Sequence, residues 1–169
     1  MTAGLALLAL AACSKRDDSG TAATPANNGV ISNGGLQVNA IGAATSCIAP
    51  EDMNRPIQEF SQEQRRQLVA CMNTATARQI NAQLPKQLDE YTRLDRLSTE
   101  GPLMTYHYTV LRTPAGLPGN LGTQLEASTR RLTCANPQAV QTLQFGGSYA
   151  FRWVDDQGAL IHETRIDAC

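Results

Sequence analysis

The chain is poor in aromatic residues and nearly neutral, and these two shortages exclude one class of partner. Only 5% of its 169 residues are Phe, Trp or Tyr, and its formal net charge is −1. Proteins that bind nucleic acid usually present a basic surface, often with aromatic rings that stack on bases. We therefore expect no nucleic-acid partner.

The sequence also lacks the motifs that mark common enzymes and metal sites. It contains no Gly-x-Ser-x-Gly, no glycine-rich phosphate loop, no His-Glu-x-x-His and no Cys-x-x-Cys. Its two histidines, His107 and His162, fall in predicted strands, and no spacing motif joins them to a carboxylate such as Glu163. Residues 155–158, Asp-Asp-Gln-Gly, lack the further oxygen ligands of a calcium loop and are typical of a hairpin turn. We predict a protein that is not an enzyme and holds no metal or cofactor.

A short apolar run near the start of the chain ends in a cysteine. Residues 3–12 carry no charge, but a membrane span needs about 20 residues, so the run has the length of a signal-peptide core. Leu10-Ala11-Ala12-Cys13 resembles the lipobox of bacterial lipoproteins, in which the peptide is cut before the cysteine and the cysteine receives lipid. The resemblance implies a signal peptide over residues 1–12 and lipidation of Cys13. Ser14 follows the cysteine in place of the aspartate that resembles an inner-membrane retention signal, so the resemblance favours the outer membrane, facing the periplasm.

The residues after the cysteine are typical of a linker. The segment is rich in Gly, Ala, Ser, Thr and Asn and can bury little apolar area. We predict a lipidated flexible tether over residues 13–46 and a periplasmic domain over residues 47–169. Within the tether, Val30-Ile31 and Leu36-x-Val38 are short apolar segments; coil is favoured there, and an added edge strand is the alternative. For the apolar run over residues 3–12, the alternative to a signal peptide is a buried helix that happens to be followed by a cysteine. The first four residues, Met-Thr-Ala-Gly, lack the positive charge that usually begins a signal peptide, so we expect the true start of the protein to lie upstream.

Four further cysteines remain, and an even number in an exported chain predicts disulfides. Three connectivities are open, and we favour Cys47–Cys71 and Cys134–Cys169 because each closes a loop inside one block of sequence. The alternative is a four-cysteine zinc site, which the missing Cys-x-x-Cys spacing disfavours.

The first part of the domain predicts a helix followed by two strands. Ser61 and Gln64 have the spacing of a capping box, and Pro85 ends the helical pattern. The stripe expected to be buried is Leu68, Cys71, Met72 and Ala75. A strand over about 93–98 then leads through Gly101-Pro102 into a strand over 104–110, although a helical stripe at Leu88, Tyr91, Leu94 and Leu97 is an alternative.

The last part predicts two helices and a hairpin. The first helix has Leu121, Leu125 and Leu132 on one side. In the second, Asn136 caps the start, Pro137 follows, and Gly146-Gly147 end the helix. Strands on either side of residues 155–158 place Tyr149, Phe151 and Trp153 on one face. The predicted fold class is α+β, a small antiparallel sheet with helices on one face.

The segment from Cys134 to Cys169, CANPQAVQTLQFGGSYAFRWVDDQGALIHETRIDAC, resembles the carboxy-terminal part of small disulfide-bonded pilotins of type II secretion. In that family a cysteine, a short helix, a glycine, an aromatic strand, a turn ending in glycine and a final cysteine follow in this order. The resemblance implies a non-enzymatic outer-membrane lipoprotein that binds the tail of a secretin subunit in a groove. The resemblance concerns only the order of helix, strands, turn and cysteines, and it assigns no binding residue.

A second class of function is consistent with the same features. An immunity protein, or an inhibitor of a secreted toxin or cell-wall hydrolase, also needs export, an anchor and a rigid body. The segment RTPAGLPGN, residues 112–120, would be its exposed loop. In either case we predict a periplasmic or outer-membrane protein partner. Aromatic side chains dominate interface energetics, so the candidate contact residues are Tyr106, Tyr108, Tyr149 and Trp153.

Overall fold

A computed structural model describes residues 30–33, 36–39, 45–111 and 119–169. The strands are β1 (Val30–Asn33), β2 (Leu36–Asn39), β3 (Lys86–Gln87), β4 (Thr92–Glu100), β5 (Leu103–Val110), β6 (Ser148–Asp155) and β7 (Leu160–Ile166). The α-helices are α1 (Gln62–Asn81), α2 (Leu121–Ala135) and α3 (Pro137–Gln144). Pro50–Asp52 and Ile57–Glu59 form single 3₁₀ turns.

Five strands form one sheet in the order β3-β4-β5-β6-β7, with the helices on one side, so the predicted α+β class is confirmed. Strand β5 pairs with β6 in parallel, however, whereas the other pairs are antiparallel. The prediction of an antiparallel sheet is therefore wrong at its centre. Parallel neighbours need a long crossover connection, and α2 and α3 lie in the connection between β5 and β6.

Helix α1 begins as the sequence predicts. The Ser61 side chain accepts from the Gln64 backbone N–H at 3.2 Å, and the Gln64 side chain accepts from the Ser61 backbone N–H at 2.9 Å. The predicted stripe is only partly right, because Cys71 is exposed and Met72 and Ala75 are half-buried. The buried side chains are Leu68, Val69, Asn73, Ala77 and Ile80. Cys71 lies outside the core because its disulfide partner, Cys47, approaches the helix from its exposed side.

The core forms where α1 packs on β4 and β5. Its buried side chains are Leu36, Ala77, Ile80, Leu94, Leu97 and Met104. Two asparagines of α1 fix the helix on the sheet. Asn81 donates to the Leu97 carbonyl at 2.9 Å and accepts from the Leu97 N–H at 2.7 Å, while Asn73 donates to the Pro102 carbonyl at 2.9 Å. These bonds satisfy backbone groups next to the bulge in β4 and at the β4–β5 turn, so they fix the register of helix and hairpin.

An amino-terminal hairpin forms where the sequence favours coil over a strand. Strands β1 and β2 pair in antiparallel fashion as a separate two-stranded sheet inside the segment predicted to be coil. Leu36 is only 8% exposed and belongs to the core beside α1. A two-stranded hairpin is marginal on its own, so burial of this leucine is what holds it. The remaining residues of the predicted tether up to 44, together with the signal-peptide region, lie outside the described residues.

Both favoured disulfides are present, Cys47–Cys71 and Cys134–Cys169, with Cα–Cα distances of 5.7 and 5.6 Å. They close loops with sequence separations of 24 and 35 residues. On the chain-entropy model each contributes about 3–4 kcal/mol to stability. The first fastens the chain ahead of α1 to the middle of that helix. The second fastens the end of the chain to the last turn of α2.

The carboxy-terminal half follows the predicted turns and caps. Asn136 accepts from the backbone N–H groups of Gln138 and Ala139, and Pro137 opens α3. Asp155 accepts from the N–H groups of Gln157 and Ala159 at 3.0 and 2.7 Å, which closes the β6–β7 turn and confirms a turn rather than a calcium loop. Gly158 has a φ of 86°, a conformation that favours glycine. Within the described part of the chain, no helix is both long and apolar enough to cross a bilayer.

Replacing Leu36 with Ala is expected to destabilise the domain by about 2–4 kcal/mol, because it leaves a cavity against Ala77 and Ile80. The matched control is Leu88→Ala, since Leu88 is 43% exposed and its truncation should change little. Denaturant unfolding measures both variants. Equal stability of Leu36→Ala and the unmodified chain would show that the hairpin does not pack on α1.

Candidate partner-binding site

Five aromatic rings lie together on the helix-covered face of the sheet. Alternate residues of a strand share a face, so Tyr106 and Tyr108 of β5 meet Phe151 and Trp153 of β6 through the parallel register. The ring centroids are 5.1 Å apart for Tyr106 and Phe151, and 5.5 Å apart for Tyr108 and Trp153, with nearly parallel planes. Tyr149 adds a tilted contact, 6.4 Å from Tyr106. The structure therefore brings together all four candidate contact residues.

These rings differ in how much surface they offer. Trp153 is only 5% exposed, so it belongs to the core and can contribute little direct contact in this conformation. Tyr106, Tyr108, Tyr149 and Phe151 are half-buried. The sequence analysis placed Phe151 on this face but did not choose it as a contact residue. Phe151 is two residues from Tyr149 on β6 and lies opposite Tyr106 on β5. It is therefore as good a candidate contact residue as the tyrosines.

Burial is the main influence on the tyrosine hydroxyls. It raises the pKa of Tyr106, Tyr108 and Tyr149 above the ordinary value. The neighbouring tyrosines raise the pKa of Tyr106 further, whereas a hydrogen bond with Thr142 lowers that of Tyr149. The hydroxyls are therefore neutral at physiological pH, and the ring cluster suits apolar and hydrogen-bonding contacts.

The two long helices cover different parts of the sheet. Helix α1 packs on β4 and β5, whereas α2 packs on the edge strand β7. Gly122 of α2 sits directly on His162, because a Cβ at that position would lie 3.0 Å from the imidazole Nδ1. The His162 ring is 6.2 Å from Trp153, and its Nε2 lies 3.8 Å from the Glu126 carboxylate. The aromatic rings of β5 and β6 thus lie between the areas that the two helices occupy.

Helix α2 carries the predicted leucine stripe, but the stripe is not its buried side. Thr129 and Thr133 are buried, Leu121 and Leu125 are half-buried, and Leu132 is 60% exposed. Helix α2 packs on the edge strand β7 and on α3, and Leu132 lies on the side of the helix that these contacts leave open.

The other candidate residues do not form a second site. His107 points to the opposite face of the sheet from His162 and contacts the Ser98 hydroxyl through Nε2 at 2.8 Å. Among residues 45–111 and 119–169, no three His, Cys, Asp or Glu side chains group as metal ligands would. The loop considered for an inhibitor lies outside the described residues from 112 to 118, as does Cys13.

No protein-family model matches the chain, and no curated protein matches it either. Three solved structures share its fold. The pilotin EpsS of the Vibrio vulnificus type 2 secretion system has a TM-score of 0.55 and 16% identity, covering 63% of this chain and 94% of that one. The pilotin AspS of the Vibrio cholerae type II secretion system has a TM-score of 0.50 and 16% identity, covering 63% and 95%.

The third structure is a Pseudomonas aeruginosa protein described as secreted. Its TM-score is 0.54 and its identity 17%, covering 62% of this chain and 93% of that one. At these identities the likeness concerns the fold. It extends the resemblance noted in the sequence from the carboxy-terminal segment to nearly the whole length of the pilotin structures.

The raised tyrosine pKa values predict unfolding in alkali. The folded chain holds these phenolic protons more tightly than the unfolded chain, whose tyrosines titrate near about pH 10. The contribution of these protonated tyrosines to the stability of the fold is complete below about pH 10 and is lost as the pH rises above it. Trp153 fluorescence should report unfolding there, and Tyr106→Phe/Tyr108→Phe should move the midpoint to higher pH. An unchanged midpoint in this variant would mean that these hydroxyls are not buried.

Proposed function

We propose that this chain is a non-enzymatic outer-membrane lipoprotein whose periplasmic domain binds a segment of a secretion-system protein, as a pilotin does. The observation that carries the proposal is the row of half-buried aromatic rings between α1 and α2. The fold shared with EpsS and AspS supports it.

The exposed side of α2 extends this surface. Gly122 and Glu126 face His162, and the leucine stripe lies on the neighbouring flank of the helix. Crossovers between parallel strands are right-handed, and a right-handed connection from β5 to β6 turns the leucine flank toward the centre of the sheet. We infer a groove with the aromatic rings as its floor and Leu121, Leu125 and Leu132 on one wall.

Such a groove suits an apolar peptide segment. A concave surface with aromatic and leucine side chains accepts the apolar face of an amphipathic helix or an extended strand. The exposed parts of the tyrosine rings can pack against the segment, and their neutral hydroxyls avoid the cost of burying a charge. The inhibitor alternative depends on the loop near residue 115, for which the described residues provide no support.

The anchor is tested at Cys13. Replacing it with Ser should leave the chain unlipidated, so that it moves from the detergent phase to the aqueous phase in a phase-separation experiment on cell envelopes. Ser14→Ala is the control, since it changes the neighbouring residue but keeps Cys13, and it should leave partitioning unchanged. Detergent-phase recovery of Cys13→Ser would refute the lipid anchor.

Binding is tested at Leu132. Leu132→Glu places a charge on the proposed groove wall without disturbing the core, and crosslinked secretin recovered from envelopes should fall about tenfold. Leu160→Glu is the matched control, because Leu160 is 54% exposed but lies on the edge strand away from the groove, and it should retain the partner.

Two results would contradict the proposal. One is equal recovery of secretin by both variants, which would place the contact elsewhere. The other is recovery of a toxin or cell-wall hydrolase in place of a secretin, which would establish the inhibitor role on this scaffold. Thermal unfolding of each variant confirms that the comparison is made between folded proteins.

A further inference from the structure

His162 lies enclosed between helix α2 and the aromatic cluster, and the proposed groove gives it no contact with the partner. A Cβ at Gly122 would lie 3.0 Å from the imidazole Nδ1, so the backbone of α2 rests on the ring. On the sheet, the ring stacks on Trp153 with 6.2 Å between the ring centroids. The side chain of His162 is only 24% exposed. A change in this ring therefore acts on the helix that carries the leucine wall.

One nitrogen of this ring lacks a hydrogen bond. Nε2 of His162 is buried and has no hydrogen-bond partner among the described residues. It lies 3.8 Å from Oε2 of Glu126 on α2, beyond the usual hydrogen-bond length of about 2.7–3.2 Å. A buried polar atom without a partner is unfavourable. While the imidazole is neutral, this pair therefore contributes no bond between the start of α2 and β7.

Protonation of the imidazole supplies the missing bond. An imidazolium donates from both nitrogens, so the Nε2–H of His162 can donate to the Glu126 carboxylate. A bond between N⁺–H and a carboxylate is about 2.7–2.9 Å long and stronger than a neutral one, so the two groups must approach by about 1 Å. The Glu126 side chain is 48% exposed, which leaves it room for this movement. Histidine changes its charge in the mildly acidic range, whereas a carboxylate generally stays charged there.

The described surroundings of the ring contain few other charges. On α2, Glu126 faces His162, while Arg130 lies one turn further on and donates to a carbonyl after β7. From β6 the ring faces Trp153, which is uncharged. On β7, Glu163 is directed to the opposite face of the sheet, where it pairs with an arginine. The protonated ring is therefore attracted to Glu126 above all.

We propose that His162 and Glu126 form a pH-dependent latch, which bonds α2 to β7 while the imidazole is protonated and releases the helix when the proton is lost. The attachment of α2 is then strongest in mild acid and weakens as the pH rises through the range in which histidines lose their proton. The effect on binding rests on the proposed function, because α2 carries the leucine wall of the groove. A wall held more firmly favours affinity, so the groove should bind its segment more tightly in mild acid.

Hydrogen exchange tests the latch without any partner. After correction for the intrinsic rate, the backbone amides of residues 124–130 should exchange about fivefold faster at about pH 7.5 than at about pH 5.5. Glu126→Gln removes the attracting charge from an exposed position and should abolish this difference, as should His162→Gln. The matched control is His107→Gln. His107 is the other histidine of the chain and lies on the opposite face of the sheet, so the difference should remain.

Secretin capture measures the effect of the latch on the groove. Recovery from envelopes, relative to Glu126→Gln, should be about fivefold greater at about pH 5.5 than at about pH 7.5. Equal exchange of α2 at the two pH values, or a difference that persists in Glu126→Gln, would overturn the latch. A change in exchange without a change in capture would overturn its link to the groove. Absence of capture at both pH values would instead count against the proposed function, and the exchange result would stand.

Discussion

The structure depends on the burial of one side of α1 against β4 and β5. Leu94, Leu97 and Met104 provide the apolar surface of the sheet, and Ala77 and Ile80 provide that of the helix. Asn81 bonds both backbone groups of Leu97, which fixes the helix beside the bulge in β4. Once this unit exists, β6 can pair with β5, and Leu36 has a core on which the amino-terminal hairpin can pack. The aromatic cluster is located by the same unit, because two of its five rings belong to β5 and the other three to β6, which pairs with β5.

The two-residue period of the strands gives the sheet two surfaces with different chemistry. On β5, Tyr106 and Tyr108 face the helices, and His107 between them faces away. The same alternation along β6 places Phe151 and Trp153 on one side and Arg152 on the other. A change of register by one residue would exchange the two surfaces, so the bulges in β4 and β7 help to determine which side chains face the helices. The proposed groove and the polar surface therefore lie on opposite sides of one small sheet.

The sequence predicted what local rules determine and missed what packing determines. The Ser61 capping box, the Asn136 cap and the turn at Asp155 are local, and all three are confirmed. The disulfide pairing followed from loop closure.

Features that depend on contacts between distant parts of the chain were harder to predict. The buried side of α1 is selected by strands that follow it, so helical spacing alone chose Cys71 wrongly. The exposure of Leu132 and the parallel pairing of β5 with β6 depend on where the crossover places α2. At Leu36-x-Val38 the sequence favoured coil over a strand, because the core partners of Leu36 lie more than 40 residues further along the chain.

The shape of the proposed groove follows from how α2 is held at its two ends. Near its start, Gly122 allows the helix to contact His162, which in turn stacks on Trp153 of the aromatic cluster. Near its end, Cys134 is bonded to Cys169, which follows β7. A helix that packs mainly on an edge strand and on α3 buries little surface of its own, so these two attachments help to hold it in place. A wall fixed in this way loses little conformational freedom when a segment binds, which favours affinity. The attachments belong to the scaffold, whereas the leucines and aromatic rings between them belong to the proposed groove. Because the attachments and the exposed side chains are separate, the side chains of the wall can change in sequence without loss of the scaffold that holds it.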